Sequence, residues 1–183
     1  MPGRLTPLVT GEIYHVFNLG VDHRETFTGK REFERAMETL RYYRCAEVPV
    51  KFSHFLTMDQ DSRNRILLDL PKRKQLVQCL AFCFMPNHFH FLLKQEEDLG
   101  ISRFMSNFQN SYTRYYNVKN SRIGPLFLDQ FKAVRIETEE QIIHVSRYIH
   151  LNPVSSYIIE IEELDNYPWS SFIDYVNGGD NVF

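Results

Sequence analysis

The sequence predicts an α+β domain built around an antiparallel sheet. Two apolar, aromatic-rich runs flank a Pro-Asn turn at 86–87 and predict a hairpin of adjacent strands. Apolar residues at helical spacing predict one helix before this hairpin, near 30–44, and one after it, near 101–117. Strand-like runs at 12–20 and 131–137 complete the order strand, helix, strand, strand, helix, strand. This order is ferredoxin-like, and a third helix and an acidic tail follow it.

Each of the early elements has its own local signal. The first strand, EIYHVFNLG, is rich in β-branched and aromatic residues. The polar stretch DQDSRNR and the basic turn LPKRK fall within residues 45–74, where we expect an insertion with one short helix. The first helix has an apolar face formed by Phe33, Ala36, Met37, Leu40 and Tyr43.

The hairpin and the second helix are strongly apolar. Residues 76–84 form a nearly continuous apolar run, which predicts a strand buried on both faces, and residues 88–94 form its partner. The helix after the hairpin has an apolar stripe formed by Ile101, Phe104, Met105, Phe108, Tyr112 and Tyr115.

The third helix has a signal at each end. Thr138 and Gln141 predict a capping box, in which the threonine caps the first turn and the glutamine reaches back. Asn152-Pro153 predicts the end of the helix, since proline cannot continue it. The acidic tail is expected to hold short helical or irregular pieces around Trp169. We expect one domain over residues 1–183, with the core at about 12–152, the insertion at about 45–74 and a C-terminal extension at 153–183.

The composition fits a soluble globular protein. The 183 residues are 43% hydrophobic and 24% charged, which excludes wholesale disorder and collagen-like structure. The net charge of −2 argues at first against a nucleic-acid partner. Residues 1–135, however, carry +6 (20 Lys and Arg, 14 Asp and Glu), whereas residues 136–183 carry −8 (one against nine). The larger part of the chain can therefore present a basic face, although ordinary solvated surface also explains these charges.

Cysteine usage and hydropathy bear on the location of the protein. Cys45, Cys79 and Cys83 are odd in number, and two of them lie in an apolar run, which favours buried thiols over a disulfide framework. We see no apolar signal region and no stretch of about 20 apolar residues. We therefore expect a soluble, cytoplasmic protein with no membrane partner.

His88 and His90 are the first residues that point to chemistry. Side chains two residues apart in a strand point to the same face, so these two imidazoles are expected to lie side by side. Such a pair suits one divalent ion. A bare His-x-His is more often two partly exposed strand residues that hold no ligand.

Tyr148 and Asn152 are the second pair, four residues apart on one flank of the third helix, with His144 one turn earlier. A divalent ion held by two histidines and an amide oxygen leaves positions for a phosphate oxygen. A tyrosine hydroxyl in line with that phosphorus could attack it and form a phosphotyrosine. His144 is the candidate base. Taken singly, the tyrosine is also explained by packing and the asparagine by a helix terminus.

These segments resemble a known family. FCFMPNHFHFLL resembles the HUH (His-hydrophobic-His) motif of the single-tyrosine transposases, and RYIHLNPV resembles their catalytic helix. YHVFNLG, RIGPLFLDQFKAVRIE and WSSF are similar to segments of the REP-associated tyrosine transposase branch of the IS200-like transposases. The resemblance spans about residues 12–172. It implies a transposase that cleaves and rejoins single-stranded DNA beside hairpins.

The resemblance also implies roles for individual residues. His88 and His90 would bind Mg²⁺ or Mn²⁺, with Asn152 as third ligand at a position where glutamine is common elsewhere in the family. Tyr148 would be the nucleophile that becomes linked to a 5′-phosphate and frees a 3′-hydroxyl. No nucleotide cofactor is implied. Helical periodicity explains at least the first two of the rival tyrosines, Tyr112, Tyr115 and Tyr116, better as core residues.

DNA binding requires basic residues that neutralise phosphates, and aromatic side chains that stack on bases of single strands. The main basic candidates are Arg103, Arg114, Lys119, Arg122, Lys132 and Arg135. Further candidates in and after the insertion are Arg63, Arg65, Lys72, Arg73 and Lys74.

Three questions remain open at the level of sequence. Leu19 and Gln130 stand where relatives often have arginine, which motivates an alternative: a non-catalytic, domesticated module that binds hairpin DNA. Fold order and aromatic strands alone motivate a third interpretation, an RNA-binding module, which gives no reason for the histidine pair. Some relatives act as monomers and others as homodimers in which the partner donates the tyrosine, so both states remain open.

Overall fold

The protein is described here by a computed structural model that covers residues 7–178. One antiparallel sheet consists of β1 (Ile13–Leu19), β2 (Val77–Met85), β3 (His88–Gln95) and β4 (Lys132–Ile136). The strand order is β2-β3-β1-β4, as expected for a ferredoxin-like sheet. The predicted fold class is confirmed. The end of the predicted C-terminal extension, residues 179–183, lies outside the described residues.

Outside the insertion the helices lie where the sequence predicts them, apart from the end of α5. They are α1 (Lys30–Tyr43), α2 (Phe52–Phe55), α3 (Gln60–Asp69), α4 (Gly100–Lys119), α5 (Glu139–Ser155) and α6 (Phe172–Val176). Short 3₁₀ turns lie at Val21–His23, Leu70–Lys72 and Ile161–Asn166. Within residues 7–178 no helix is both long enough and apolar enough to span a membrane.

The sheet has a helical layer on each face. Val16 of β1 and Phe91 of β3 point to one face, where they pack with the apolar stripe of α4 and with α1. Leu92 of β3 points to the other face, where Ile149 of α5 packs in a second, smaller core. Because side chains alternate along a strand, the histidines of β3 share this second face with α5.

The insertion contains two helices, so the expectation of one short helix was wrong. Asp59 caps α3 by accepting a hydrogen bond from the Ser62 backbone N–H at 2.9 Å. The polar run that suggested a loop is therefore the start of a helix. Since α3 has no buried residue, it leaves no apolar stripe in the sequence. The insertion is anchored by a small core of Tyr42, Cys45, Phe52, Phe55 and Leu70.

Helix α5 begins as predicted and ends one turn later than predicted. The Thr138 hydroxyl accepts from the Gln141 N–H at 3.2 Å, while the Gln141 amide oxygen accepts from the backbone of Glu137 at 2.8 Å. The helix runs through Pro153 to Ser155. Proline removes only its own backbone donor, and the next donors still form helical bonds, as when the Ser156 N–H donates to Asn152 at 3.0 Å.

Strand β2 lies at an edge of the sheet yet is largely buried, as its apolar run predicts. The C-terminal segment, residues 156–178, covers this edge. The Phe84 N–H donates to the Trp169 carbonyl at 2.8 Å, and the Ser171 N–H donates to the Phe82 carbonyl at 3.0 Å. Edge strands invite unwanted pairing, and this segment satisfies their backbone groups.

Candidate active site

His88 and His90 lie side by side on β3, on the face that α5 covers. Their ring centroids are 5.0 Å apart, with the rings nearly perpendicular. His90 is buried, at 5% exposed, whereas His88 is half-buried. The i, i+2 spacing thus produces the expected pair.

Helix α5 brings Tyr148 and Asn152 to this pair. The ring of Tyr148 lies edge-on to that of His90, with the centroids 5.5 Å apart, and Tyr148 remains 46% exposed. Asn152 is buried, and its side chain lies close enough to His88 to affect the pKa of that imidazole. The two residue pairs that the sequence singled out therefore meet within one chain.

A third imidazole, which the sequence interpretation did not single out, completes the cluster. His15 of β1 stacks on His90 with ring centroids 5.0 Å apart. It also contacts Tyr148, edge to face, at a centroid distance of 5.9 Å. Its signal was available in the predicted topology, because β1 pairs with β3 and places His15 on the same face as His90.

In each histidine of the pair, the Nδ1 atom lies within hydrogen-bonding distance of a neighbouring side chain. His90 Nδ1 lies 2.9 Å from His15 Nε2. His88 Nδ1 lies 2.6 Å from the Asn87 amide oxygen, and the Asn87 amide nitrogen donates to the His23 carbonyl at 3.3 Å. Contacts of this kind orient metal-binding histidines in proteins.

Burial controls the charge of the three imidazoles. Burial, together with the neighbouring His15 and His88, lowers the pKa of His90 to about 3. It lowers the pKa of His15 to about 4. For His88, burial lowers the pKa, and a hydrogen bond that the charged imidazole would donate to Asn152 opposes the change. At neutral pH the imidazoles are therefore neutral, the form that binds metals.

The donors present fit a divalent cation. His88 and His90 offer imidazole nitrogens, and Asn152 offers an amide. The Asn152 amide nitrogen is buried without a hydrogen-bond partner among the described residues, which is the kind of unsatisfied group that requires an explanation. The amide oxygen is a ligand type that suits both Mg²⁺ and Mn²⁺, and imidazole nitrogen is a common ligand of divalent transition metals. Within residues 7–178 no cluster of three or more His, Cys, Asp or Glu side chains could hold a metal, so the amide would have to contribute.

Helix α5 is fixed behind the site by a buried polar contact. His150 Nε2 lies 2.7 Å from the Ser171 hydroxyl, which also accepts a hydrogen bond from the Phe82 N–H at 2.9 Å. The contact links α5, the C-terminal segment and β2. Burial lowers the pKa of His150 to about 4, so this imidazole is also neutral.

One predicted DNA-binding residue lies close to the site. Lys132 of β4 is directly paired with Phe17 of β1, and its Nζ lies 5.9 Å from the centre of the Phe17 ring. That ring is partly exposed and lies 5.5 Å from the ring of His90. Helix α5 packs mainly on β2. It leaves open the end of β1 and β4 that contains Phe17 and Lys132, and the neighbouring Val134 is 55% exposed.

The other basic candidates are farther away or already paired. Arg103 and Arg114 lie on α4, which covers the opposite face of the sheet. Lys119 pairs with the buried carboxylate of Glu32. Intramolecular partners are also present for Arg122 (Asn117), Arg135 (Glu12), Arg63 (Glu38), Arg73 (Asp69) and Lys74 (Glu97).

The remaining candidates do not join the cluster. His144 is exposed and takes no part in the ring contacts described above. Tyr112 is fully buried against α1, and its hydroxyl donates to the Thr26 carbonyl at 2.6 Å. The Tyr115 hydroxyl donates to Glu32 and that of Tyr116 to the Glu25 carbonyl, both on the α4 side of the sheet.

Comparison with solved structures shows the fold in another protein. The structure of the REP-associated tyrosine transposase bound to a REP hairpin matches with a TM-score of 0.62 and 14% identity, over 100% of this chain and 90% of that one. A candidate transposase from Deinococcus radiodurans R1 matches with a TM-score of 0.41 and 15% identity, over 81% of this chain and 95% of that one. No curated protein sequence matches the chain.

The amino-acid sequence identifies the family directly. Residues 37–152, well over half of the chain, match the family described as "Transposase IS200 like". The matched segment contains His88, His90, Tyr148 and Asn152, but not His15. The chain belongs to the IS200-like transposase family.

Proposed function

We propose that this protein cleaves and rejoins single-stranded DNA beside hairpins, through a covalent bond between Tyr148 and a 5′-phosphate. The observation that carries the proposal is the position of Tyr148. Its ring lies 5.5 Å from that of the buried His90, and nearly half of its surface stays open to solvent. A nucleophile in this place can reach a phosphate that is held against the histidine pair.

The reaction balances without a nucleotide cofactor. The Tyr148 hydroxyl gives up its proton, and its oxygen forms a bond to phosphorus. The bond between phosphorus and the 3′ oxygen breaks, and that oxygen takes up a proton to leave a 3′-hydroxyl. When the 3′-hydroxyl of another strand attacks the phosphotyrosine, the DNA bond re-forms and the tyrosine regains its proton.

A divalent ion would be held by His88, His90 and Asn152. Members of this family generally use such a metal. When bound, the ion would polarise a phosphoryl oxygen and stabilise the charge that develops in the transition state. The neutral imidazoles support the two histidine ligands, and the burial of Asn152 beside His88 supports its amide oxygen as the third.

The DNA strand would approach along the open end of β1 and β4. There, Phe17 lies beside His90 and offers a ring for base stacking, and Lys132 lies beside Phe17 and offers a charge for a phosphate. The structural relative is bound to a REP hairpin, which supports hairpin DNA as the partner of this chain.

A single chain supplies every proposed group. Tyr148 lies beside His90 of its own chain, so we propose that the tyrosine acts in cis and that one domain suffices. A homodimer is not needed to assemble the site.

The test uses a single strand that carries a hairpin, with Mn²⁺. We expect a covalent adduct that survives SDS, and loss of this adduct in Tyr148→Phe. Tyr157→Phe is the matched control, because Tyr157 is 96% exposed just beyond the end of α5 and should be dispensable. An adduct that persists in Tyr148→Phe would contradict the proposal. Hairpin binding that is unaffected by EDTA, with no adduct in any metal, would favour the non-catalytic alternative.

A further inference from the structure

His15 lies outside the segment that matches the family, yet it contacts both His90 and Tyr148. We propose that His15 is a positioning residue that fixes the tautomer and the orientation of His90. This inference rests on the proposed role of His90 as a metal ligand. The proposed cleavage and rejoining steps do not themselves use His15.

The strand register brings the two rings together. Phe17 pairs directly with His90, so His15, two residues earlier on β1, lies diagonally across the same face. The rings are stacked at an interplanar angle of 28°, with the centroids 5.0 Å apart. His15 therefore limits the rotation of His90 by contact as well as by hydrogen bonding.

The distance between the nitrogens restricts where the hydrogens lie. At 2.9 Å, His15 Nε2 and His90 Nδ1 share one hydrogen bond, and each neutral imidazole carries one N–H. If His15 donates, the lone pair of His90 Nδ1 is occupied and its Nε2 carries the hydrogen, so His90 cannot bind a metal. If His90 donates from Nδ1, its Nε2 lone pair is free.

His88 shows the same arrangement with a different acceptor. The Asn87 amide nitrogen donates to the His23 carbonyl, which turns the amide oxygen toward His88 Nδ1 at 2.6 Å. An amide oxygen only accepts, so His88 carries its hydrogen on Nδ1 and keeps Nε2 free. Asn87 provides an acceptor for the Nδ1 hydrogen of His88. In the same way, His15 would provide an acceptor for the Nδ1 hydrogen of His90.

The geometry disfavours a role for His15 as a ligand. Its Nε2 atom, which faces the cluster, is engaged by His90. His15, His88 and His90 also do not form a three-residue metal cluster in the described part of the chain. The remaining role for His15 is to act on the site through its contact with His90.

Two variants separate positioning from packing. His15→Phe keeps a ring in the stack and removes the acceptor, whereas His15→Gln loses the ring and keeps an acceptor oxygen. We expect His15→Phe to weaken Mn²⁺ binding, measured by electron paramagnetic resonance of the free ion, by about 10- to 100-fold. His15→Gln should stay within a few-fold of the wild-type protein. The opposite order of the two variants would show that stacking matters, and would overturn the proposal.

A second readout does not depend on the metal. In ¹⁵N-labelled, metal-free protein, NMR should show the His90 hydrogen on Nδ1 in the wild type and in His15→Gln, and a shift toward Nε2 in His15→Phe. A wild-type His90 with its hydrogen on Nε2 would overturn the proposal. If the wild type bound no Mn²⁺, the proposed function would fail, and this tautomer pattern would still decide the role of His15.

Discussion

Tyr148 and His90 meet edge to face, with their ring centroids 5.5 Å apart, although one belongs to α5 and the other to β3. The contact depends on how α5 is seated. Ile149 packs in the core beneath the helix, and His150 contacts Ser171 on the C-terminal segment. Changes that shift α5, or that alter the groups around the histidine pair, are therefore expected to affect strand cleavage.

Asn152 should matter for cleavage more than for stability. We expect Asn152→Leu, which is similar in size, to lower the rate of adduct formation by at least about tenfold, on the scale of changes at metal sites. The free energy of unfolding should hardly fall, because the substitution also removes a buried amide nitrogen without a partner, a group that costs about 1–3 kcal/mol. Urea unfolding and the adduct assay measure the two effects. A large loss of stability at unchanged cleavage would show that Asn152 is only a structural residue.

Lys132 should contact DNA from the open end of β4. We expect Lys132→Ala to weaken binding of a short unstructured single strand, and to reduce the slope of log affinity against log salt by about 0.7, the value for one lost phosphate contact. Arg114→Ala is the matched control, because Arg114 is exposed on α4 at the opposite face of the sheet. Equal losses in both variants would contradict the proposed path of the strand.

His150 should make stability depend on pH. Burial lowers its pKa from 6.5 to about 4, so between these values the unfolded chain binds a proton that the folded chain does not. The free energy of unfolding should therefore be highest above pH 6.5 and fall toward pH 4, with His150 contributing up to about 1.4 kcal/mol per pH unit. His150→Gln should make this fall shallower in urea titrations.

The control for this experiment is Ser171→Ala. It removes the 2.7 Å contact with the imidazole but keeps the group that titrates. It should lower stability at all pH values and leave the slope of His150 in place. A His150→Gln protein with the wild-type pH slope would show that other groups cause the acid sensitivity.

Lys119 should act in folding and not in DNA binding. It pairs with Glu32, a carboxylate buried at the junction of α1 and α4. We expect Lys119→Met to lower Tm, since it leaves that carboxylate buried without its cation, and Glu32→Gln in the same chain to restore much of the loss. Calorimetry of the two single variants and the double variant measures this coupling. Weaker DNA binding by a Lys119→Met protein of unchanged Tm would restore Lys119 as a DNA contact.

Most of the fold follows from local sequence, and the errors have local causes. Alternation predicts β4, helical spacing predicts α1 and α4 because each has one apolar face, and a continuous apolar run predicts β2, which is largely buried. Helix α3 lacks a clear signal because none of its residues is fully buried and it begins with the polar run after Asp59. The end of α5 was placed too early because Pro153 removes one donor in a last turn that the later residues still complete.

The site was predictable where motifs are short and not where contacts cross strands. His88 and His90 share a face by spacing alone, and Tyr148 and Asn152 share a helix flank. His15 belongs to no such motif, and its position beside His90 depends on the pairing of β1 with β3, which joins residues 75 positions apart in the sequence. The ion pair of Lys119 likewise joins distant segments, so charge alone suggested a DNA contact.

The attachment site of DNA tests the central claim most directly. The adduct formed by the wild-type protein with a hairpin-bearing single strand and Mn²⁺ can be digested with protease and nuclease and sequenced by mass spectrometry. We predict a nucleotide attached through its 5′-phosphate to Tyr148, in the peptide that contains RYIHLNPV. Attachment to Tyr115, Tyr116 or any other residue would contradict the account.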